Sequence, residues 1–114
     1  MSETSEITGP LIKALNQTGG WAERMNCGKV KRGKHYIMLH GEGTADILFF
    51  PRHCHVRIAG LPGTPVWIET KTGKNGQDAD QRLFQLKVET LGHRYILATS
   101  VEQGLNEALT TRIQ

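Results

Sequence analysis

Val66-Trp67-Ile68-Glu69-Thr70-Lys71 is the stretch on which the reading of this chain turns. Its first three residues are β-branched or aromatic, a composition that suits a short buried strand covered on both faces. Side chains alternate along a strand, so Glu69 and Lys71 project from one face near its C-terminal end. Charges in a strand that otherwise wants apolar residues need an explanation, because burying an unpaired charge is costly. An ion pair on an edge strand is one explanation. Half of a cation-dependent catalytic site is the other, and Glu-x-Lys alone is too common to choose between them.

The rest of the composition sets bounds. A chain of 114 residues predicts a single domain over 1–114 with its core in 5–109. Hydrophobic residues make up 38% and charged residues 22%, the balance of a soluble globular protein. No apolar run approaches membrane-spanning length, and the polar start Ser2-Glu3-Thr4-Ser5-Glu6 is unlike a signal peptide. A cytoplasmic protein of a bacterial or phage-infected cell, with no membrane partner, is the expectation. Cys27 and Cys54 fit no CxxC pattern, which argues against a disulfide framework.

A formal net charge of +3 says less than its distribution. Lys29, Lys31, Arg32 and Lys34 crowd between Gly28 and His35, a pattern read as a basic loop. A run this short is ordinarily a solvated loop; phosphate tracking gains weight only beside a phosphate-cleaving site.

Taken in order, Thr4 or Ser5 can cap a helix with apolar residues Ile7, Leu11 and Leu15. Gly9-Pro10 interrupts it early, so its start can slip to Thr8. Trp21 to Asn26 is a connection or a strand. His35 to Leu39, Ala45 to Phe50 and Val66 to Lys71 follow as strands, with a hairpin-like loop over 51–65. Asp78 caps a helix from Ala79 to about Leu91, with Leu83, Leu86, Phe84 and Leu91 as inward candidates. Tyr95 to Ala98 is a buried strand and Ser100 caps a last helix to about Leu109. The prediction is an α/β fold, a small mixed β-sheet flanked by helices in the order αβββαβα, with a right-handed parallel crossover from Val66 to Ala98.

On this layout Asp46 starts one strand and Glu69 ends its antiparallel neighbour, which brings the two carboxylates together. They can share one divalent cation, with the Thr70 carbonyl as a third oxygen and Mg²⁺ as a suitable ion. Without it the carboxylates repel and raise each other's pKa. A cation here acidifies bound water and neutralises a phosphoryl oxygen, and Lys71 can orient that water or stabilise the transition state. No Ser-His-Asp arrangement or Walker-type loop competes.

Gly43-Thr44-Ala45-Asp46-Ile47, Trp67-Ile68-Glu69-Thr70-Lys71, Gln81, Leu91-Gly92-His93-Arg94-Tyr95 and Thr99-Ser100-Val101-Glu102 occur in that order. Together they resemble the VRR-NUC nucleases of the PD-(D/E)XK, or restriction-endonuclease-like, superfamily, from about Glu6 to Leu109. The resemblance implies Asp46 and Glu69 as metal ligands, Lys71 as the catalytic lysine and Gln81 at the active site. It also implies a first-helix glutamate, Glu6 or Glu3, as a further catalytic carboxylate and ligand. Ala45 stands where the family usually has proline, a change that touches no functional group. The function implied is a Mg²⁺- or Mn²⁺-dependent DNA endonuclease. Its expected form is a homodimer acting on branched or duplex DNA, four-way junctions included, in replication, repair or recombination. Lys29, Lys31, Arg32 and Lys34 are then its expected contacts to nucleic acid.

Each assignment has a plainer rival. Gln81 alone reads as a surface helix residue, and Glu6 as a first-turn acid favoured by the helix dipole. His53-Cys54-His55 lacks a second ligand pair and reads as a solvated loop rather than a zinc site. Trp21 and Trp67 read as core, and Asp78 and Asp80 as helix-start acids. For the whole chain the rival is a non-catalytic nucleic-acid-binding module of the same fold, and RNA as a substrate uses the same site.

Overall fold

The computed structural model describes residues 4–25, 28–32, 35–40, 43–52, 57–58, 61–62, 65–73 and 76–110. The chain opens with a π-helical turn, Thr4–Thr8, that runs directly into helix α1, Gly9–Gln17. Pro10 falls in the first α-helical turn, where its missing N–H costs nothing. The sequence alternatives for the helix start are thus both used, the wider turn ahead of the proline and the regular helix after Thr8. Leu11 and Leu15 are fully buried and Ile7 nearly so, as their spacing predicts.

Strand β1, Trp21–Arg24, follows at once. The segments Gly28–Arg32 (β2) and His35–His40 (β3) then pair antiparallel as a separate two-stranded hairpin. This corrects two expectations. The basic run is largely strand rather than loop, and His35 to Leu39 does not belong to the central sheet. The residue types of both segments suit a strand, but composition cannot say which partner a strand will take.

Strand β4, Ile47–Phe50, pairs antiparallel with β1. A minimal hairpin of β5, Arg57–Ile58, and β6, Leu61–Pro62, lies within the expected connection. Strand β7, Val66–Thr70, pairs antiparallel with β4 and parallel with β8, Arg94–Ala98. The result is a four-stranded mixed sheet in the order β1-β4-β7-β8. Helix α2, Ala79–Thr90, forms the crossover between the parallel strands, and α3, Val101–Leu109, ends the fold. Three helices on a small mixed sheet make this an α/β domain.

The two faces of the sheet differ. Ala22, Ile47, Phe49, Val66, Ile68, Ile96 and Ala98 form one core with Ile7, Leu11, Leu15 and Ala108 of the helices. Gly104 lets α3 approach closely, since a Cβ there would come within 2.9 Å of both Ala98 and Leu11 side-chain atoms. The opposite face carries Trp67 and Tyr95, and Phe84 of α2 packs edge-on against Trp67 at 5.2 Å and tilted against Tyr95 at 6.2 Å.

Helix α2 is rotated from the expected orientation. Leu83, Leu86 and Leu91 are exposed, Leu86 at 62%, while Phe84 and Val88 turn inward. The inward stripe also includes Gln81, because Glu69 on the sheet needs an amide donor, and Gln85, which accepts from Gln77. That requirement, invisible in an apolar periodicity count, outweighs leucine burial. Trp21 is a second correction. It is 57% exposed and stacks on Phe50, its cross-strand partner, at 5.6 Å instead of entering the core.

Candidate functional site

The site forms where β4 begins and β7 ends. Ile47 pairs with Ile68, Leu48 with Trp67 and Phe49 with Val66. Continuing that register by one residue sets Asp46 opposite Glu69. The backbone holds Asp46 from the other side as well, through Met25 N–H donating to its carbonyl at 2.7 Å. Lys71 N–H donates to the Ala98 carbonyl at 2.9 Å, so β7 remains fixed beyond Glu69 by its parallel neighbour. The strand carrying the two charges is therefore internal to the sheet, which removes the edge-strand explanation.

Thr70 locks Asp46 in place. Its backbone N–H and its hydroxyl both donate to Asp46 Oδ2, at 2.8 and 2.9 Å. Thr8 Oγ1, at the junction of the π-turn and α1, lies 2.6 Å from Thr70 Oγ1. Thr8, Glu69 and Thr70 are the buried polar residues among the described ones, and all three belong to this site. Thr8 escapes notice as a site residue in the sequence, where it serves only as an alternative helix start. The available signal is Thr70 itself, a hydroxyl on the apolar face of β7 that has to find a partner.

Glu69 is only 3% exposed. Gln81 Nε2 donates to its Oε2 at 3.0 Å. The amide cannot turn around without loss, because Gln81 Oε1 accepts from Asp78 N–H at 3.0 Å and Asp78 Oδ1 accepts from Gln81 N–H at 2.8 Å. This reciprocal capping box starts α2 and at the same time aims a donor at Glu69. Asp78 is thus the helix-start acid expected, and Gln81 is far more than a surface residue.

The other oxygen of Glu69 has no hydrogen-bond partner although it is buried. Burial first, then the neighbouring Asp46 carboxylate, push the Glu69 carboxyl up to about 9, against an opposing pull from Lys71. Two states relieve the orphaned oxygen: a proton held between Glu69 and Asp46, or a cation between them. The donors available are hard oxygens, which suit Mg²⁺ or Mn²⁺.

A connected layer supports the floor of the site. Gln77 Nε2 donates to Gln85 Oε1 and to Tyr95 Oη, both at 2.9 Å. Burial raises the Tyr95 hydroxyl well above its ordinary pKa, with the charges of Glu69 and Asp46 adding to the effect, so it remains protonated. Gly43 lies at φ 85°, and a Cβ there would overlap the Asp80 backbone. The turn before Asp46 is therefore seated on the first turn of α2, next to Gln81.

Asp46, Glu69, Thr70 and Gln81 are brought together, and Lys71 is close enough to influence the Glu69 carboxyl. The first-helix carboxylate is another matter. Glu6 is exposed on the π-turn, and no group of three His, Cys, Asp or Glu side chains gathers among the described residues. Glu3 lies outside them, as do Lys34 and His53-Cys54-His55. Lys29, Lys31 and Arg32 fall on β2. No helix among the described residues is long and apolar enough to cross a membrane. Compared with known proteins, the chain matches no family model, no curated protein and no solved structure.

Proposed function

We propose that this chain is a Mg²⁺- or Mn²⁺-dependent DNA endonuclease, with a restriction-endonuclease-like core similar to that of the VRR-NUC nucleases. The observation that carries this reading is the buried, unpartnered Glu69 Oε1 facing a second carboxylate, Asp46, across adjacent strands. A purely structural ion pair would leave no such oxygen, and a cation satisfies it without requiring a proton.

Asp46 and Glu69 would hold the cation in this reading, with the Thr70 carbonyl as a further oxygen donor. When bound, the cation supplies an acidified water and charge neutralisation at a phosphoryl oxygen. Gln81 fixes the orientation of Glu69 through Oε2, while Oε1 has no hydrogen-bond partner. Lys71, close enough to pull on the Glu69 carboxyl, would orient the attacking water or stabilise charge on the phosphoryl group.

Topology supports the same reading. Setting aside the two hairpins, the elements follow as helix, three antiparallel strands, helix, parallel strand, helix. In sequence, the β2–β3 segment with its basic residues falls between β1 and Asp46. Cations there suit phosphate contacts, which position a nucleic acid without reading its sequence. The reading therefore includes selectivity for DNA shape, with four-way junctions and other branched DNA as substrates in replication, repair or recombination. It also includes a homodimer, for which exposed Leu83, Leu86 and Leu91 offer apolar surface.

The test is a panel of labelled duplex, flap, single-stranded and four-way junction DNAs, with RNA counterparts, incubated with Mg²⁺ or Mn²⁺. Asp46→Asn and Glu69→Gln are expected to abolish cleavage while leaving fold and DNA binding largely intact. Full activity of either variant, or cleavage that survives chelation, sinks the proposal. Cleavage of RNA alone would reassign the substrate.

A further inference from the structure

From the Thr8–Thr70–Asp46 contacts we infer that Thr8 is a positioning residue for Asp46, acting through the Thr70 hydroxyl. The inference rests on the metal-site reading only for its consequence, not for its geometry. A threonine hydroxyl has one proton to give and two lone pairs to receive. Thr70 spends its proton on Asp46 Oδ2 at 2.9 Å. The 2.6 Å contact to Thr8 therefore runs the other way, with Thr8 Oγ1 donating and Thr70 Oγ1 accepting. The three groups form a directed chain, hydroxyl to hydroxyl to carboxylate, in which each bond polarises the next.

Thr8 gives up a common role to do this. It occupies the N-cap of α1, where a threonine side chain ordinarily accepts from the first turn, yet it makes no capping bond. Thr8 is the last residue of the π-turn, its backbone already helical, and its hydroxyl is directed to Thr70 of the sheet instead. With 3% exposure for Thr8 and 1% for Thr70, water has little access to replace either bond.

The chain decides which oxygen of Asp46 remains available. Oδ2 is taken twice by Thr70, leaving Oδ1 for Glu69 or for a cation. Without Thr8, the Thr70 hydroxyl loses its donor and its χ1 is free to move, and Asp46 then rotates away from its working orientation. Outer partners of this kind matter to a metal centre because they fix the geometry of the ligands.

The test compares Thr8→Val, which is isosteric but cannot donate, with Thr8→Ser, which keeps the hydroxyl. Two quantities are read on the full chain. Three-bond couplings give the Thr70 χ1 rotamer populations without metal, and calorimetry gives the Mn²⁺ affinity. Thr8→Val is expected to spread Thr70 over more than one rotamer and weaken Mn²⁺ binding about tenfold, and Thr8→Ser to restore both. A single Thr70 rotamer with wild-type Mn²⁺ affinity in Thr8→Val overturns the inference, as does failure of Thr8→Ser to restore. If wild-type protein binds no Mn²⁺, the metal-site reading falls and the rotamer populations alone decide the role of Thr8. Should Thr8→Val fail to fold, Thr8→Ala takes its place.

Discussion

Gln81 donates its side-chain amide to Glu69 while the same amide closes the capping box with Asp78. One residue therefore fixes both where α2 begins and how the buried carboxylate is turned. The start of the helix and the orientation of the candidate catalytic group are not separable here. That coupling makes Gln81 a sensitive position to probe.

Gln81→Ala removes an amide donor from Glu69 and one arm of the capping box. A loss of about 1–2 kcal/mol is expected from these bonds together, measured by urea unfolding without metal. Gln81→Glu preserves the acceptor for Asp78 N–H and loses the donor to Glu69. It is expected to retain α2 by circular dichroism while losing cleavage activity. Equal cleavage by Gln81→Glu and wild type would remove Gln81 from the site.

Glu69 gives the metal-free protein a characteristic pH dependence. Its carboxyl moves from 4.5 to about 9 on folding. Between those values the folded protein holds a proton that the unfolded chain has released. Stability from this group is therefore full below about 4.5, falls as pH rises, and is lost above about 9. Urea midpoints of the wild type should decline through this window, and Glu69→Gln should remove that decline. A wild-type midpoint that rises through the window would contradict a protonated Glu69.

A cation must displace the same proton. Mn²⁺ affinity is expected to increase with pH up to about 9, with proton release visible as a dependence of the binding enthalpy on buffer. Saturating metal should also raise the unfolding free energy, by about 2.7 kcal/mol at a hundred times Kd. Asp46→Asn should abolish this gain. Stabilisation of Asp46→Asn equal to wild type would locate the ion elsewhere.

Lys71 is assigned to the phosphoryl group or water, not to the ion. Lys71→Ala should lower kcat by about 10²–10³ and leave Mn²⁺ affinity close to wild type. Loss of metal binding in this variant would indicate a role in holding the site together.

The basic hairpin should act on binding and not on chemistry. Alanine at Lys29, Lys31 and Arg32 together is expected to weaken DNA binding uniformly across sequences. The salt dependence should become shallower by about one for each phosphate no longer neutralised. An unchanged slope would show that these residues do not meet phosphates.

The sequence by itself determined much of the local structure. Ile7, Leu11 and Leu15 predict a buried helix face, Asp78 and Ser100 mark helix starts, and Val66 to Thr70 reads as a buried strand. These follow from interactions within a few residues or from a simple period, which a linear chain displays directly. The antiparallel pairing of β4 with β7 and the parallel crossover to β8 are also legible, because loop lengths restrict the connections.

Tertiary structure alone decided where β1 and β3 pair. The same extended composition serves β1 in the central sheet and β3 in an outlying hairpin, since backbone hydrogen bonding carries no label for its neighbour. Leu83 and Leu86 face outward because Glu69 draws the Gln81 amide to the inner side of α2, a demand made across the fold. Thr8 reaches Thr70 across 62 positions of sequence, at a distance no spacing rule spans. Glu69 can be read from β7 as an anomalous charge. That its Oε1 is buried and without a donor depends on what the fold packs around it.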